Sequence, residues 1–545
     1  MIEPSDVADP GEPLARGLKP LPEVTEQASQ NQDPELVRAA AVLAAGNITS
    51  RILGLAREMV KASLYGASGL LSAFEVAAYV PTSLYDLIIG GMVNSALVPV
   101  FSDYADKERR WELWSVLSTV LSVATAVLLL VVALVILLAP QIAWLVGANE
   151  FDDPALTVKA ISLMRMAAPA VLFLSIASIL TGALYALKRF TVPAFVGAVF
   201  NATVVVVALL RPDQIESLVW GMLLGSILQI AVQLVPLRDA RLRWRFDWRH
   251  PAVRRILVLY MPIVGGLVIN QLAVALSYNL ATRTGDENIT YMKFATTLYQ
   301  FPLGLVVTAI SIATLPTLSQ QFNDQLAAFK QTLAEGLRLV ITLILPATIG
   351  LFVLALPIVT LLFERGQFTP LNSTTTAQVL RFYLFGLPFA AVDQMLVYAS
   401  YARKDTLRPA LAGVFSILIY LLIAVLLLRP FGLLSLMIAD GVKHITHTII
   451  MFFVVRRQIG RMSGYGIIMT TGKSLVAAVL VGIAAYLTSE FMAGLVDPAT
   501  LGGRLLVVAA SGACGILVYT VLVFLFDLRD AKSLSSILPG HGGSS

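Results

Sequence analysis

The sequence has little of what a soluble enzyme or a metalloprotein needs. Only 13% of its 545 residues are charged, whereas a typical soluble domain has about 25%. The single cysteine, Cys514, excludes a disulfide within the chain. Four histidines without a Cys/His cluster give no metal-binding motif, and no acid/base or nucleophile constellation indicates an enzyme. We therefore expect no metal and no other cofactor.

What the chain has in abundance is apolar sequence. Hydrophobic residues make up 57% of it, and its mean hydropathy is +0.80. Apolar runs of about twenty residues recur along nearly the whole chain. This is the length that a transmembrane helix requires. Pro81 and Pro302 fall inside two of these runs and predict kinks there. We predict an all-α polytopic membrane protein of about fourteen helices, at residues 35–64, 73–102, 112–140, 154–187, 192–211, 216–237, 253–281, 289–320, 332–362, 376–402, 408–428, 432–456, 466–491 and 503–527.

The formal charge of +5 reflects how Lys and Arg are distributed among the loops. Loops after even-numbered helices hold seventeen of these residues, and loops after odd-numbered helices hold five. The positive-inside rule therefore places both termini in the cytoplasm. The most basic loop interleaves four arginines with Trp244, Phe246 and Trp248. This pattern is typical of a loop that anchors the topology of the chain and carries an aromatic belt. The alternative is that the loop binds anionic lipid headgroups. A nucleic-acid partner is not expected.

Two sequence motifs recur at nearly the same interval. Tyr185 to Gly197 matches Tyr401 to Gly413 at a shift of 216, and Ala96 to Ser102 matches Ala313 to Ser319 at a shift of 217. Six helices separate the copies, so the two lobes have the same orientation in the membrane. We predict a disordered cytoplasmic tail, an N-lobe, a basic linker, a C-lobe, two further helices and a flexible tail, at residues 1–33, 34–238, 239–252, 253–460, 461–530 and 531–545.

The first helix carries four charges within twelve residues, Arg51, Arg57, Glu58 and Lys61. Each costs roughly 2.5–3.5 kcal/mol at the centre of a membrane helix on insertion scales. Arg57 and Lys61 are four residues apart and share a face, while Glu58 and Lys61 are spaced to pair. The eighth helix adds Lys293. Two lobes that face each other leave a central cavity, and a cationic wall there suits a phosphate- or carboxylate-bearing substrate.

Several motifs resemble one transporter family. Ser50 to Glu58 is similar to the pattern S-R-x-L-G-x-x-R-D in the first helix of the MviN/MurJ-type lipid II flippases, a family of the multidrug/oligosaccharidyl-lipid/polysaccharide exporter superfamily. The resemblance extends from about residue 40 to about residue 460 and includes Tyr299 to Gly304. Its most specific parts are Leu361 to Thr369, Gly386 to Phe389 and Tyr401 to Thr406.

The resemblance implies alternating access around a cationic cavity in the bacterial plasma membrane. The substrate would be lipid II, a polyprenyl-pyrophosphate-linked peptidoglycan precursor that moves from the inner to the outer leaflet. Arg57 would hold the pyrophosphate, with Arg51, Glu58, Lys61 and Lys293 around it. Helices 13 and 14 would form a groove for the lipid tail. We expect a monomer that contacts membrane lipids. Transport would be driven by the membrane potential or by a monovalent ion, for which the sequence shows no binding motif.

The chain departs from the family pattern at two cavity positions. Where the family usually has arginines, this sequence has Tyr85 and Thr297, and Lys293 lies one helical turn before Thr297. Lys293 would partly replace the lost charge. Two alternatives therefore remain beside lipid II transport. One is an exporter of another polyprenyl-linked glycan or an amphiphile, which the missing arginines favour, and the other is a non-transporting scaffold of a cell-wall complex.

Overall fold

A computed structural model describes residues 34–322 and 325–527, and the predicted tails 1–33 and 531–545 lie outside these residues. Long helices joined by short loops make up the described chain. They are α1 (Pro34–Tyr65), α2 (Gly69–Ser102), α3 (Arg110–Leu137), α4 (Pro154–Ala186), α5 (Thr191–Leu210), α6 (Glu216–Leu237), α7 (Pro251–Thr282), α8 (Asn288–Gln321), α9 (Leu326–Val353), α10 (the bent pair Pro370–Leu384 and Leu387–Ala402), α11 (Leu407–Phe431), α12 (Leu434–Ile459), α13 (Ile467–Leu495) and α14 (Leu501–Leu525).

The predicted all-α membrane architecture is confirmed. Within the described ranges, twelve helices are long and apolar enough to cross a membrane, or thirteen if the bent pair of α10 is one span. The predicted count of fourteen includes α1, a helix of 32 residues that packs along α5. The largest boundary difference is at α9, which stops at Val353 and is followed by a short helix, Ala355–Phe363.

The two predicted kinks coincide with changes of helix type. Pro81 lies in the α-helical first part of α2, and a π-helical turn, Asp86–Gly90, follows it. Pro302 ends the α-helical first part of α8, directly before the π-helical turn Leu303–Val307. Because proline has no N–H to donate, the backbone around it must rearrange its hydrogen bonds. The two π-helical turns are 217 residues apart, which is the shift of the sequence repeat.

Local details recur at the repeat interval in both lobes. Arg165 Nε donates to the carbonyl of Ile136 at 3.2 Å, and Arg381 Nε donates to the carbonyl of Phe352 at the same distance. Both members of this pair are shifted by 216 residues. The left-handed residues Lys188 and Lys404, with φ of 58° and 60°, keep the same shift. These recurrences support a duplicated bundle, while the lobe boundaries stay a prediction.

The two lobes meet at the end of the bundle where α1 finishes. Gln367 N–H donates to the carbonyl of Ser63 at 2.9 Å. Two glycines permit this approach, because a Cβ on Gly366 would lie 2.2 Å from the Ser63 oxygen and a Cβ on Gly66 would lie 2.5 Å from the Gln367 oxygen. The segment that most specifically resembles the flippase family, 361–369, therefore joins the lobes.

Two further contacts close the same end. The hydroxyl groups of Ser72 in α2 and Thr290 in α8 are 2.8 Å apart and buried. In the neighbouring loops, the Asp152 N–H donates to Asp286 Oδ1 at 2.8 Å. All these residues lie at the ends that the positive-inside rule assigns to the outer face.

The basic linker is extended and packs on α3. The backbone N–H groups of Arg243 and Arg245 donate to Ser118 Oγ at 3.1 Å and Ser122 Oγ at 2.9 Å. The alternation of an extended chain then leaves the linker's large aromatic side chains, Trp244, Phe246 and Trp248, exposed. The linker is thus fixed to the N-lobe along a row of serines, with its aromatic side chains free to meet a membrane surface.

Helices α13 and α14 lie outside the duplicated part and pack on the C-lobe. Tyr519 Oη donates to the Thr342 carbonyl at 2.6 Å, and Gly482 lets α13 approach α9 closely. Near the start of α14, Arg504 binds Glu364 Oε1 at 2.8 Å. The first turn of α14 is thereby tied to the 361–369 segment.

Candidate functional site

Five charged side chains from α1, α2 and α8 form a continuous row, here called the charge ladder. Arg57 donates from Nε at 3.1 Å and from a terminal nitrogen at 2.8 Å to Glu58 Oε1. Lys61 Nζ lies 2.6 Å from Glu58 Oε2 and also pairs with Glu75. Lys293 Nζ lies 3.8 Å from Glu75 Oε2. The ladder holds three cations and two carboxylates, so one positive charge is in excess.

Burial divides the charge ladder into a closed centre and two accessible ends. The side chains of Glu58, Lys61 and Glu75 are 3%, 4% and 5% exposed, whereas those of Arg57 and Lys293 are 29% and 39% exposed. Charges removed from water are tolerated when each meets an opposite charge in good geometry. The buried centre satisfies this condition, so the excess positive charge is available to a ligand at Arg57 and Lys293.

A cavity of about 230 Å³ opens at these two cations, between α1 and α8. Five of the seven residues predicted to bind substrate line it together, namely Arg51, Arg57, Glu58, Lys293 and Thr297. Polar and apolar neighbours complete the wall: Gly54, Leu55, Thr296, Gln300 and Phe301. The cavity is therefore positively charged and bordered by hydrogen-bonding side chains.

The other two predicted residues lie elsewhere. Lys61 lines a smaller neighbouring cavity of about 100 Å³. Its ammonium group is held by Glu58 and Glu75, so it faces carboxylates and not a ligand-sized space. Tyr85 lines neither cavity, and its hydroxyl group is 2.8 Å from that of Ser178 inside the N-lobe. The structure thus separates Tyr85 from Thr297, although the family pattern predicts both of them in the cavity.

Arg51 connects the two lobes on the other side of the cavity. Its guanidinium group lies against Gly304 in the π-helical turn of α8, where a Cβ would be 2.5 Å from both terminal nitrogens. Arg51 Nε is buried and has no hydrogen-bond partner within the described residues. The glycine therefore provides the space in which the side chain of α1 crosses to α8.

Two residues of the site were not among the predicted ones. Asn201 in α5 accepts from Arg57 at 3.0 Å and donates to the carbonyl of Ser50 at 3.0 Å, which orients the guanidinium group. Glu75 joins the cations of α1 and α8. The available signal for Glu75 was a carboxylate inside a membrane helix. For Asn201 it was an isolated amide in an otherwise apolar helix.

A sequence profile of the lipid II flippase MurJ matches residues 61–502, which is most of the chain. The chain belongs to the MurJ lipid II flippase family. This confirms the family resemblance, and the family is one of transporters. Arg51 and Arg57 precede the matched residues, so their place in the site depends on the contacts described above.

Two relatives align with this chain over most of their own length. The lipid II flippase MurJ of Burkholderia cenocepacia is 27% identical over 437 residues, covering 78% of this chain and 84% of the relative. The probable lipid II flippase MurJ of Rhizobium meliloti is 28% identical over 513 residues, covering 90% and 94%. The chain is thus a multi-pass membrane protein of a bacterial family, consistent with its many apolar helices.

Solved structures support the same fold. An inward closed conformation of a lipid II flippase MurJ has a TM-score of 0.75 and 22% identity, covering 90% of this chain and 99% of that chain. An inward-facing multidrug resistance transporter of the MATE family has a TM-score of 0.62 and 12% identity, covering 76% and 95%. At these identities the likeness concerns the arrangement of the helices.

Proposed function

We propose that the protein moves lipid II from the inner to the outer leaflet by alternating access. Membership of the MurJ family supports this function. The observation that carries it at the level of residues is the cavity between α1 and α8, where Arg57 and Lys293 are the accessible ends of a net positive ladder. A pyrophosphate is a polyanion whose oxygens match guanidinium and ammonium donors.

In this proposal the buried carboxylates position the cations and do not contact substrate. Glu58 and Asn201 hold the Arg57 guanidinium at two sides, which lowers the entropic cost of presenting it to phosphate oxygens. Glu75 does the same for Lys293 and secures Lys61. Lys61 and Glu58 then act as positioning residues, and Thr297 contributes a polar wall.

The contacts between lobes support an orientation for this cycle. The lobes touch through Ser63, Ser72, Thr290 and Gln367 at the end that the loop charges assign to the outer face. The Arg51–Gly304 contact lies on the side of the cytoplasmic loops. We propose that both termini are cytoplasmic and that this arrangement is closed toward the outside. Substrate would enter after Arg51 leaves Gly304.

The cavity is built within one chain, which supports a monomer as the working unit. The polyprenyl tail would remain in the bilayer beside α13 and α14, whose outward surfaces are largely apolar. Membrane lipids are then the chain's permanent contacts. The driving force is proposed to be the membrane potential or a monovalent ion.

A second candidate function is export of another polyprenyl-linked glycan or an amphiphile. The observation that favours it is Thr297, an uncharged residue in the cavity wall where the family usually has an arginine, which leaves a less cationic cavity than the family pattern implies. A scaffold without transport gains no support from an accessible, positively charged cavity between lobes.

A depletion experiment separates these functions. A bacterium depleted of its own lipid II flippase accumulates the precursor in the inner leaflet, and expression of this chain should restore growth and lower that accumulation. A glycan exporter would leave the accumulation unchanged while the protein is present in the membrane. A scaffold that restores growth without changing the leaflet distribution would contradict the proposal.

A further inference from the structure

A further cavity, larger than the two described above, lies among the helices of the C-lobe. It has a volume of about 510 Å³ and is bordered by α7, α8, α10, α11 and α12. Two carboxylates line it, Asp393 and Asp440, together with the basic residues Lys293, Lys443, His444 and His447. Lys293 also lines the candidate substrate cavity, so the two cavities share one cation.

Each carboxylate of this cavity already has a basic partner. Lys443 pairs with Asp440, and His444 Nε2 lies 3.6 Å from Asp440 Oδ2. His447 Nδ1 lies 2.5 Å from Asp393 Oδ1. Within the described residues, no group of three or more His, Cys, Asp or Glu side chains could hold a metal ion. Lys443 balances Asp440, and Asp393 faces a histidine that can itself bind a proton, so this arrangement favours a proton over a metal cation.

The hydrogen bonds of His447 show how many protons the Asp393–His447 pair must hold. Its Nδ1 faces the Asp393 carboxylate and its Nε2 faces the Pro409 carbonyl at 3.3 Å. Neutral imidazole has one N–H, whereas a carbonyl and an ionised carboxylate both only accept. The two contacts are therefore satisfied together only if the Asp393–His447 pair holds one additional proton, on the ring or on the carboxyl group.

This additional proton joins three helices. Asp393 is in α10, Pro409 is near the start of α11 and His447 is in α12. The two side chains are 14% and 13% exposed and line the cavity, which gives a proton access to the pair. After loss of the proton, the one remaining N–H stays on Nδ1 and donates to the Asp393 carboxylate, so the Nε2 lone pair faces the Pro409 carbonyl, which is repulsive. The contact between His447 and Pro409 would then open, and α12 would loosen from α11.

We propose that the Asp393–His447 pair is a proton-binding site whose bound proton holds α12, which Asp393 joins to α10, against α11. Release of the proton frees these helices to rearrange, and this couples proton movement to the transport cycle. The coupling rests on the proposed flippase function, whereas proton binding itself does not. Lys293, shared by both cavities, gives a bound phosphate a direct electrostatic influence on the C-lobe cavity.

Other charged and titratable groups face this pair from every neighbouring helix. Lys443 and His444 lie one turn before His447 and oppose its protonation, while Asp440 balances them. The remaining groups around the cavity and along the facing helices are Tyr278 of α7, Lys293 and Tyr299 of α8, Tyr383 and Tyr401 of α10, and Tyr420 of α11. Among all of these, the hydrogen-bonding geometry singles out His447 as the group that needs an acidic partner on one nitrogen and a carbonyl on the other.

Hydrogen exchange on the purified full-length chain in lipid nanodiscs tests proton binding. The wild type, H447Q and D393N are compared from about pH 5 to about pH 9, and each rate is corrected for intrinsic exchange. The amide of glutamine donates to Asp393 at every pH, so H447Q provides a pH-independent reference. We expect the start of α11 and α12 of the wild type to match H447Q at low pH and to exchange about tenfold faster or more at high pH.

H444Q is the matched control, because His444 is on the same helix but contacts Asp440 and not Asp393. It should keep the pH response of the wild type. Equal corrected exchange in the wild type, H447Q and D393N across the whole pH range would overturn the proton site. Loss of the response in H444Q would assign it to the Asp440 cluster and would also overturn the assignment to Asp393–His447.

Transport measurements on liposomes containing lipid II test the coupling. A pH gradient of one polarity should speed lipid II movement by the wild type several-fold, and D393N and H447Q should move lipid II without responding to the gradient. The same gradient response in both variants and the wild type would overturn the coupling. Absence of lipid II movement by the wild type at every pH, with the exchange response intact, would reject the flippase function and leave the proton site supported.

Discussion

Arg57 and Lys293 are the residues through which the charge ladder can act on a ligand. Their partners Glu58, Glu75 and Lys61 are almost completely buried, and any ligand-directed charge must come from the accessible ends. Hydrogen bonds to charged groups contribute about 1.5–3 kcal/mol each. Two such contacts to a pyrophosphate provide a strong and geometrically defined site.

Replacing Arg57 with alanine should abolish the rescue of a flippase-depleted strain. The loss of a charge-assisted contact of about 1.5–3 kcal/mol weakens pyrophosphate binding by about 10- to 150-fold. Glu58 keeps Lys61 as its partner, so insertion and expression should be normal. Complementation and immunoblotting check both expectations. The matched control is R211A, which removes an exposed arginine at the end of α5, and full rescue by R57A would reject the cationic site.

Replacing Lys293 with alanine should weaken lipid II binding without preventing folding. Glu75 remains paired with Lys61, so the buried centre of the ladder stays neutralised. The variant K293R should retain most of the binding, because it keeps the charge in the cavity. Binding of lipid II to purified variants in detergent provides the measurement. Unchanged binding by K293A would confine the site to α1.

The sequence predicts the cations of this site better than their partners. Charges in an apolar helix are conspicuous, and Arg51, Arg57 and Lys293 were found in this way. The family pattern predicts Tyr85 in the cavity, but its side chain packs against Ser178. Asn201 was missed because its role depends on how α5 packs against α1, which the sequence does not specify.

At the level of helices, the function depends on two close approaches between lobes, both made possible by glycine. Gly304 receives the Arg51 guanidinium on one side of the cavity, and Gly366 receives the Ser63 carbonyl on the other. In an alternating-access cycle these contacts cannot both stay closed while substrate passes. A substitution at each glycine should therefore open one side of the cavity without affecting the other.

The variant G304A should open the side of the cavity guarded by Arg51. Its Cβ would lie 2.5 Å from the guanidinium nitrogens and would displace them. A cysteine at Thr297 in a C514S background should then react faster with a thiol reagent supplied from the cytoplasmic side. The control is G350A in α9, where a Cβ meets open space. Equal reactivity of the two variants would contradict a closing role for Arg51.

The variant G366A should weaken the contact at the outer end. Gly366 has a φ of +58°, and a left-handed backbone alone costs a residue with a Cβ roughly 1–2 kcal/mol. Gly466 has a left-handed backbone with a φ of +73° and a ψ of 5°, and a Cβ there would meet only the Arg338 guanidinium at 4.0 Å, so G466A carries the backbone cost without a clash. A cysteine at Ala78 should become reactive from outside in G366A only. Equal effects of both substitutions would show that the Ser63 contact is unimportant.

The helix positions were largely predictable, whereas the helix types were not. Apolar length predicts a span, and Pro81 and Pro302 predict where its backbone is disturbed. The π-helical turns Asp86–Gly90 and Leu303–Val307 depend on how the freed hydrogen bonds are redistributed in the packed bundle. The bend of 43° in α10 falls at Gly386, two residues before Pro388, where the sequence offers a local break, and Gly386 packs close to Gly441 of α12.

At the scale of the whole molecule, two similar bundles enclose the cations at their interface. The sequence repeat predicted this organisation, and the recurring Arg165–Ile136 and Arg381–Phe352 hydrogen bonds support it. The repeat could not predict how far apart the lobes lie or which end is closed, because those depend on a few contacts between helices that are distant in sequence. We propose that the enclosed cations carry a pyrophosphate across the membrane.

The most direct test is a leaflet-accessibility assay with the purified protein alone. Liposomes containing lipid II are prepared with the wild type, with R57A or without protein, and lipid II from the inner leaflet is detected by an impermeant probe outside. We predict that the wild type makes this lipid II accessible and that R57A behaves like protein-free liposomes. Accessibility no faster with the wild type than without protein, or equal with R57A, would contradict the account.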